Sequence, residues 1–382
     1  MEFGWSENER SYRNQLREFL AAELPGNWNE MSKDGPGSDA QAAFSQAFCG
    51  KLAARGWLTP HWPKEYGGHD APAWQHAILS EEMWAHGEPR GPQYMNVNWL
   101  GPTLMRYGSD EQKRFHLARI SRGDVLWCQG FSEPNAGSDL ASLSTRAERV
   151  GDSYAVNGQK VWTSYCKNAE FCFLLVRTDK IETRHKGITV LLVPMNTPGI
   201  EVREIDTVLG DRYFHEVFFT DVRVPVSARL GAENDGWGIA MYALQYERIG
   251  LPRYARSART LELIVADAKS NGRVIDGAFK EKLVAARAMC EAARILYYRV
   301  IDQRAHNQPP TADSNVARLA LTAADRAVGD LALELGGPAA LLYGSLGDGN
   351  FRAAMPAGVA TGTSEINANL VAQRWLGLPR EA

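Results

Sequence analysis

The apolar positions of the first 121 residues recur at helical spacing. Ser6 and Glu9 are spaced as a capping box, and Tyr12, Leu16, Phe19 and Leu20 fall on one face behind them, so the pattern predicts an opening amphipathic helix. A loop rich in Gly, Pro, Asn and Asp follows from Pro25 to Asp39, and further helices are predicted at about 40–55, 73–87, 94–107 and 110–121, separated by breakers such as "GWLTPHWPKEYGG". From residue 122 the period shortens to two, in runs of β-branched and aromatic residues: "VLWCQGFS", "SYAVNGQKVWTS", "FCFLLVRT", "GITVLLVP" and "EVFFTDVRVP". Asn157-Gly158 lies between two such runs and predicts a type I′ hairpin, whose two turn residues both take positive φ. After Pro225 long helical patterns return at about 235–269, 278–306, 312–335 and 365–376. The expected fold is therefore α+β and mostly α, in three parts: helices over residues 1–121, a small β domain over 122–228 and a helical bundle over 229–382.

A chain of 382 residues with 45% hydrophobic residues can bury a large core, and its formal net charge of −3 gives no basic excess to neutralise nucleic-acid phosphates. The polar N-terminus has no basic segment followed by an apolar run, and stretches such as Phe171 to Val176 are strand-length, which predicts a cytoplasmic protein without signal peptide or membrane span. The five cysteines are scattered without a CxxC pair, and the eight histidines show no ligand spacing, so neither a disulfide framework nor a metal site is expected.

Two strings carry candidate chemistry. "GFSEPNAGSD", Gly130 to Asp139, offers turn amides and the Ser132 and Ser138 hydroxyls to a flat polar ligand or a phosphate. Trp162-Thr163-Ser164 places an aromatic ring before two hydroxyls on a strand, a combination that can stack on a planar ring while donating to its edge.

Together with "YGSDEQKRFHL" (Tyr107 to Leu117), "FFTDVRVP" (Phe218 to Pro225) and "GTSEI" (Gly362 to Ile366), these strings resemble the acyl-CoA dehydrogenase family in order and spacing, over essentially the whole chain. The resemblance implies a β-barrel-like middle domain, a C-terminal four-helix bundle, an acyl-CoA substrate and FAD. It implies that Gln129, Phe131, Ser132, Gly137 and Ser138 wall the flavin, Ser138 on the CoA side, with Phe131 replacing the usual aliphatic residue. Trp162, Thr163 and Ser164 then line the flavin ring, Ser164 donating to the nitrogen that receives hydride, and Thr363 and Glu365 complete the cofactor contacts.

A thioester α-proton is too weakly acidic for water to remove, so this reaction needs a positioned base and donors to the carbonyl oxygen. Many family members carry a Glu immediately before the Gly-Thr turn, where this chain has Thr361. A threonine hydroxyl is no base at neutral pH. Members resembling isovaleryl-CoA dehydrogenase place the Glu on the first long bundle helix, and "MYALQYERIG" has Glu247 and Arg248 there. A Glu-Arg pair is ordinarily a solvated surface. Here Ala240, Ala243, Leu244, Gly250 and Leu251 lie three, four or seven positions from Glu247, so its carboxylate is expected to be partly desolvated and basic enough to act. Thr361 is expected to lend its backbone N–H to the thioester oxygen, with Arg248 and Gly362 beside the substrate. Moving the carboxylate to another wall leaves room for a branched or bulky acyl group.

Homomeric relatives complete the flavin site with an Arg-x-x-Phe-Gly segment and a Gln-x-x-Gly-Gly turn from a neighbouring subunit. This chain keeps Arg273 but lacks the Phe-Gly, and has Leu333 in place of the Gln. Leucine donates no hydrogen bond. The resemblance then points to bacterial heteromeric enzymes acting on steroid side-chain thioesters, with this chain as the base-bearing subunit of an α2β2 assembly that passes electrons to an electron-transfer flavoprotein. A homotetramer, a flavin oxidase or monooxygenase on the same fold, and a non-catalytic scaffold subunit are the competing readings.

Overall fold

The computed structural model describes residues 4–32, 39–208, 210, 212–247, 252–272, 276–308 and 311–379. Among the described residues, seven α-helices precede the sheet: α1 (Glu7–Glu23), α2 (Trp28–Met31), α3 (Asp39–Ala54), α4 (Ala73–Ala85), α5 (Gln93–Met95), α6 (Gly101–Tyr107) and α7 (Asp110–Arg122). The strands are β1 (Trp127–Gly130), β2 (Arg146–Val150), β3 (Ser153–Ser164), β4 (Phe171–Arg177), β5 (Ile188–Pro194), β6 (Ile200–Ile205), β7 (Phe214–Pro225) and β8 (Arg229–Leu230). After them come α8 (Gly236–Glu247), α9 (Arg253–Ser270), α10 (Gly277–Ala305), α11 (Asp313–Gly336), α12 (Leu346–Ala354) and α13 (Ser364–Arg374). The fold is α+β and mostly helical, as the alternating periods predict. Among the described residues no helix is long and apolar enough to cross a membrane, and the five cysteines are buried and form no disulfide.

By internal contacts the chain forms two compact units: a helical unit of residues 1–35, 71–89 and 248–382, and a sheet unit of residues 36–70 and 90–247. In the helical unit α1 starts at the Ser6/Glu9 capping box and buries Tyr12, Leu16, Phe19 and Leu20. Small residues such as Ala286, Ala293, Ala317 and Ala324 let α10 and α11 pack closely, with Leu261, Tyr297, Leu321 and Val328 filling the core. A buried carboxylate ties four helices together. Glu81 of α4 pairs with Arg13 of α1 at 2.6 Å and accepts hydrogen bonds from Tyr254 of α9 and Tyr298 of α10.

In the sheet unit the strand order is β6-β7-β3-β2-β4-β5-β8, with β1 parallel to β4. Cys128, Tyr154, Leu174, Leu191, Val217 and Val222 are among its buried residues. Asn157-Gly158 does not form the predicted hairpin: both residues lie inside β3, and the β2–β3 turn is Gly151-Asp152. The physical reason is long-range. β7 bulges at Thr220-Asp221, the Asn157 side chain accepts from the Asp221 amide at 2.9 Å, and a Cβ on Gly158 would meet the Thr145 backbone at 2.6 Å. The single helix expected over 235–269 is also divided, into α8 and α9. Pro252, which fixes φ and lacks an N–H, stands immediately before α9.

Candidate active site

In the sheet unit, a bulge joins the two candidate strings. Lys160 pairs with Val217 and Thr163 with His215, so Val161 and Trp162 face only one residue of β7, and Trp162 takes φ 58°. Freed from the ladder, the Val161 N–H donates to Ser132 O at 2.9 Å, which seats the Gly130–Asp139 loop on β3. The bulge also turns the Trp162 ring outward, 58% exposed, while Thr163 is fully buried and its hydroxyl has no hydrogen-bond partner among the described residues. Ser164 is half-buried.

Beneath the loop lies an ion pair. Glu133 and Lys160 are both buried and meet at 2.7 Å, and Lys160 also donates to Phe131 O at 3.1 Å. The Glu133 carboxylate further accepts from the Ser144 amide and hydroxyl and the Thr145 amide. Burial alone would raise its pKa; Lys160 and these donors outweigh that and hold it down at about 2. Buried Arg177 braces the far side of the same loop by donating to Ala141 O and Leu143 O. Gln129 is half-buried on β1 and Phe131 is buried against Phe173, whereas Gly137 and Ser138 are exposed at the loop tip. Glu247 ends α8 of the same unit, half-buried; Arg248 and Arg273 lie outside the described residues.

In the helical unit the other candidates share one turn. Thr361 and Gly362 are consecutive left-handed residues, at φ 58° and 88°, and Thr363 caps α13 by accepting from the Ile366 amide. The Thr361 hydroxyl donates to Ala360 O at 2.7 Å, so it is occupied within the turn. Glu365 is exposed in the first turn of α13, where its own amide and the Thr363 hydroxyl hold its carboxyl below the usual range. Three buried side chains unmarked by any sequence motif hold this turn: Arg318, Asn315 and Asn367. Arg318 donates to Ala357 O and Ala360 O, and Asn367, bonded to Asn315, donates to Gly362 O and Thr363 O. Arg318 and Asn315 act through pairings 39 to 52 residues apart, which no local pattern announces.

The structure thus brings Ser132 together with Trp162, Thr163 and Ser164 in one unit, and Thr361, Gly362, Thr363 and Glu365 in the other. Among the described residues no group of three His, Cys, Asp or Glu side chains is placed to hold a metal ion.

Models of the acyl-CoA dehydrogenase N-terminal, middle and C-terminal domains match residues 6–124, 128–222 and 234–376. The chain belongs to the acyl-CoA dehydrogenase family and is an oxidoreductase of acyl-CoA substrates; FAD is the cofactor usual in that family. Among its relatives, acyl-CoA dehydrogenase IpdE1 of Mycolicibacterium smegmatis is 36% identical over 97% of this chain and 98% of its own length. Of solved structures, the Tcur3481-Tcur3483 steroid ACAD superposes with a TM-score of 0.90 at 31% identity, covering both chains fully. The ChsE4-ChsE5 complex from Mycobacterium tuberculosis does so with a TM-score of 0.86, also at 31% identity and full coverage of both chains.

Proposed function

We propose that this chain is the base-bearing subunit of a heteromeric dehydrogenase that converts bulky acyl-CoA thioesters to trans-2-enoyl-CoA, with Glu247 removing the α-proton. What carries this reading is that the turn ahead of α13 has no carboxylate to offer. Position 361 is a threonine whose hydroxyl is already donated to Ala360 O, while a half-buried carboxylate, Glu247, ends α8. The Thr361 N–H would stabilise charge on the thioester oxygen, with Gly362, Ser138 and Arg248 beside the substrate.

The residues fit a flavin. A ring turned outward by a bulge, next to a buried hydroxyl that has no partner among the described residues, suits a planar ligand with polar edges. Gln129, Phe131, Ser132, Gly137 and Ser138 would hold FAD with Trp162, Thr163 and Ser164, aided by Thr363, Glu365 and Arg273. FAD supplies the hydride acceptor when bound.

The heteromeric assembly rests on Leu333, half-buried on α11 with no donor to offer, and on the relatives whose structures are two-component complexes. Exposed apolar side chains in the helical unit, including Leu341, Leu342, Tyr343 and Val359, suit a subunit contact. Electrons would leave to an electron-transfer flavoprotein.

The test is Glu247→Gln in the complex co-expressed with its partner. Bound FAD, read by its visible absorbance, stays, while turnover and exchange of the substrate α-proton with deuterated water both fall about 10²–10⁴-fold. Unchanged turnover returns the chain to a scaffold role.

A further inference from the structure

Two of the side chains that hold the turn ahead of α13 act on its carbonyls from the buried side, while the Thr361 hydroxyl reaches Ala360 O from the exposed side. Arg318 and Asn367 are 2% and 1% exposed. Arg318 holds Ala360 O at 3.0 Å and Asn367 holds Gly362 O at 2.8 Å, so the peptide planes on either side of the left-handed Thr361-Gly362 pair are both pinned through their oxygens. In a trans peptide the N–H points opposite to the C=O. With Ala360 O and Gly362 O drawn toward buried donors, the N–H groups of Thr361 and Thr363 face away from them, and neither donates to any described residue. Asn367 is itself seated: its carboxamide oxygen accepts from Asn315 at 2.8 Å, which fixes which end of the amide faces the turn.

We propose that Asn367, oriented by Asn315 and assisted by Arg318, is a positioning residue that aims the Thr361 amide at the thioester oxygen. It touches no reacting atom; it removes the freedom of two peptide planes to rotate. A β-branched residue followed by glycine, both left-handed, would otherwise relax, because glycine imposes no restraint of its own. This role rests on the reading of Thr361 as a carbonyl donor given above.

The experiment uses the FAD-loaded complex and a thioester carrying ¹³C at its carbonyl, bound to the oxidised enzyme as a non-oxidisable analogue. The infrared C=O stretch reports the donors directly, apart from turnover. In the unmodified complex the stretch is lowered relative to the free thioester. Asn367→Ala returns it toward the free value and lowers kcat about 10²-fold, with KM changed far less. Asn315→Ala, the milder variant should Asn367→Ala fold poorly, gives a partial effect in the same direction. Thr322→Val is the structural control. It removes a buried bond to Ala357 O on the same face of α11 but touches neither plane beside Thr361, so it lowers stability and leaves the stretch in place. If the shift is present in the unmodified complex and survives intact in both asparagine variants, with only melting temperature reduced, the positioning role is overturned. If the stretch is not lowered even in the unmodified complex, the amide donor itself falls, and this role with it.

Discussion

Thr361 is a β-branched residue at φ 58°, a conformation that costs on the order of 1–3 kcal/mol and persists only where the surroundings enforce it. The enforcement is visible: Arg318 grips the carbonyl on one side and Asn367 the carbonyl on the other. Strain of this kind is removable. Thr361→Gly, which keeps the backbone N–H and is at ease with positive φ, is expected to raise unfolding free energy by about 1 kcal/mol in urea titrations, after allowing for the extra freedom of the unfolded chain. An unchanged or lower stability would show that the turn is not strained. Position 361 also shows what a sequence reveals at this scale. The missing carboxylate was plain from one letter, whereas the conformation of the residue replacing it depends on Arg318, 42 positions away from the carbonyl it holds.

At the scale of elements, the sequence conveyed period and little of pairing. α1 and α7 begin at capping boxes because Ser6/Glu9 and Ser109/Gln112 satisfy the first free amides locally, and a local rule can be read locally. β2 and β6, "RAERV" and "IEVREI", are largely exposed and polar, so they carried no apolar run to mark them. Asn157-Gly158 forms no hairpin because its glycine answers to Thr145, just ahead of β2, and its asparagine to Asp221 on β7. The candidate loop depends on the same kind of distant partner. Lys160, from the middle of β3, neutralises Glu133 within the loop, and both are buried. Lys160→Met fills the same space but leaves a buried carboxylate without its counter-ion, at an expected cost of about 3–5 kcal/mol. Lys160→Met combined with Glu133→Gln should recover part of that loss, because the double variant buries no charge at this pair. Denaturant titration of the single and double variants measures the difference, and equal losses would mean that the pair contributes packing alone.

For the molecule as a whole, His116 and Glu133 are two of the buried groups of the sheet unit that shape its response to acid, and His215, whose pKa burial also lowers, is a third. His116 of α7 packs edge-on against Trp127 and Phe171, at 4.9 and 5.1 Å, and burial, helped by nearby Arg119, pushes its pKa down to about 4. In the unfolded chain it titrates near 6.5, so as pH falls through 6.5 toward 4 the unfolded state takes up a proton that the folded state refuses. Stability is therefore lost on the acid side, by about 2 kcal/mol between pH 7 and pH 5 from this residue. Glu133 adds a second, more acidic window. Its folded pKa of about 2 lies below the unfolded 4.5, so its contribution is complete above 4.5 and disappears as pH falls toward 2. His116→Phe separates the two. The ring nitrogen Nδ1 has no hydrogen-bond partner among the described residues, so a phenylalanine keeps the aromatic packing and removes only the proton site. Urea midpoints measured at pH 7 and pH 5 should then lie closer together in the variant than in the unmodified protein, the remaining difference coming from groups such as buried His215, while both still unfold more readily below pH 4. A slope between pH 7 and pH 5 that survives undiminished in His116→Phe would assign the acid response of this range to other groups.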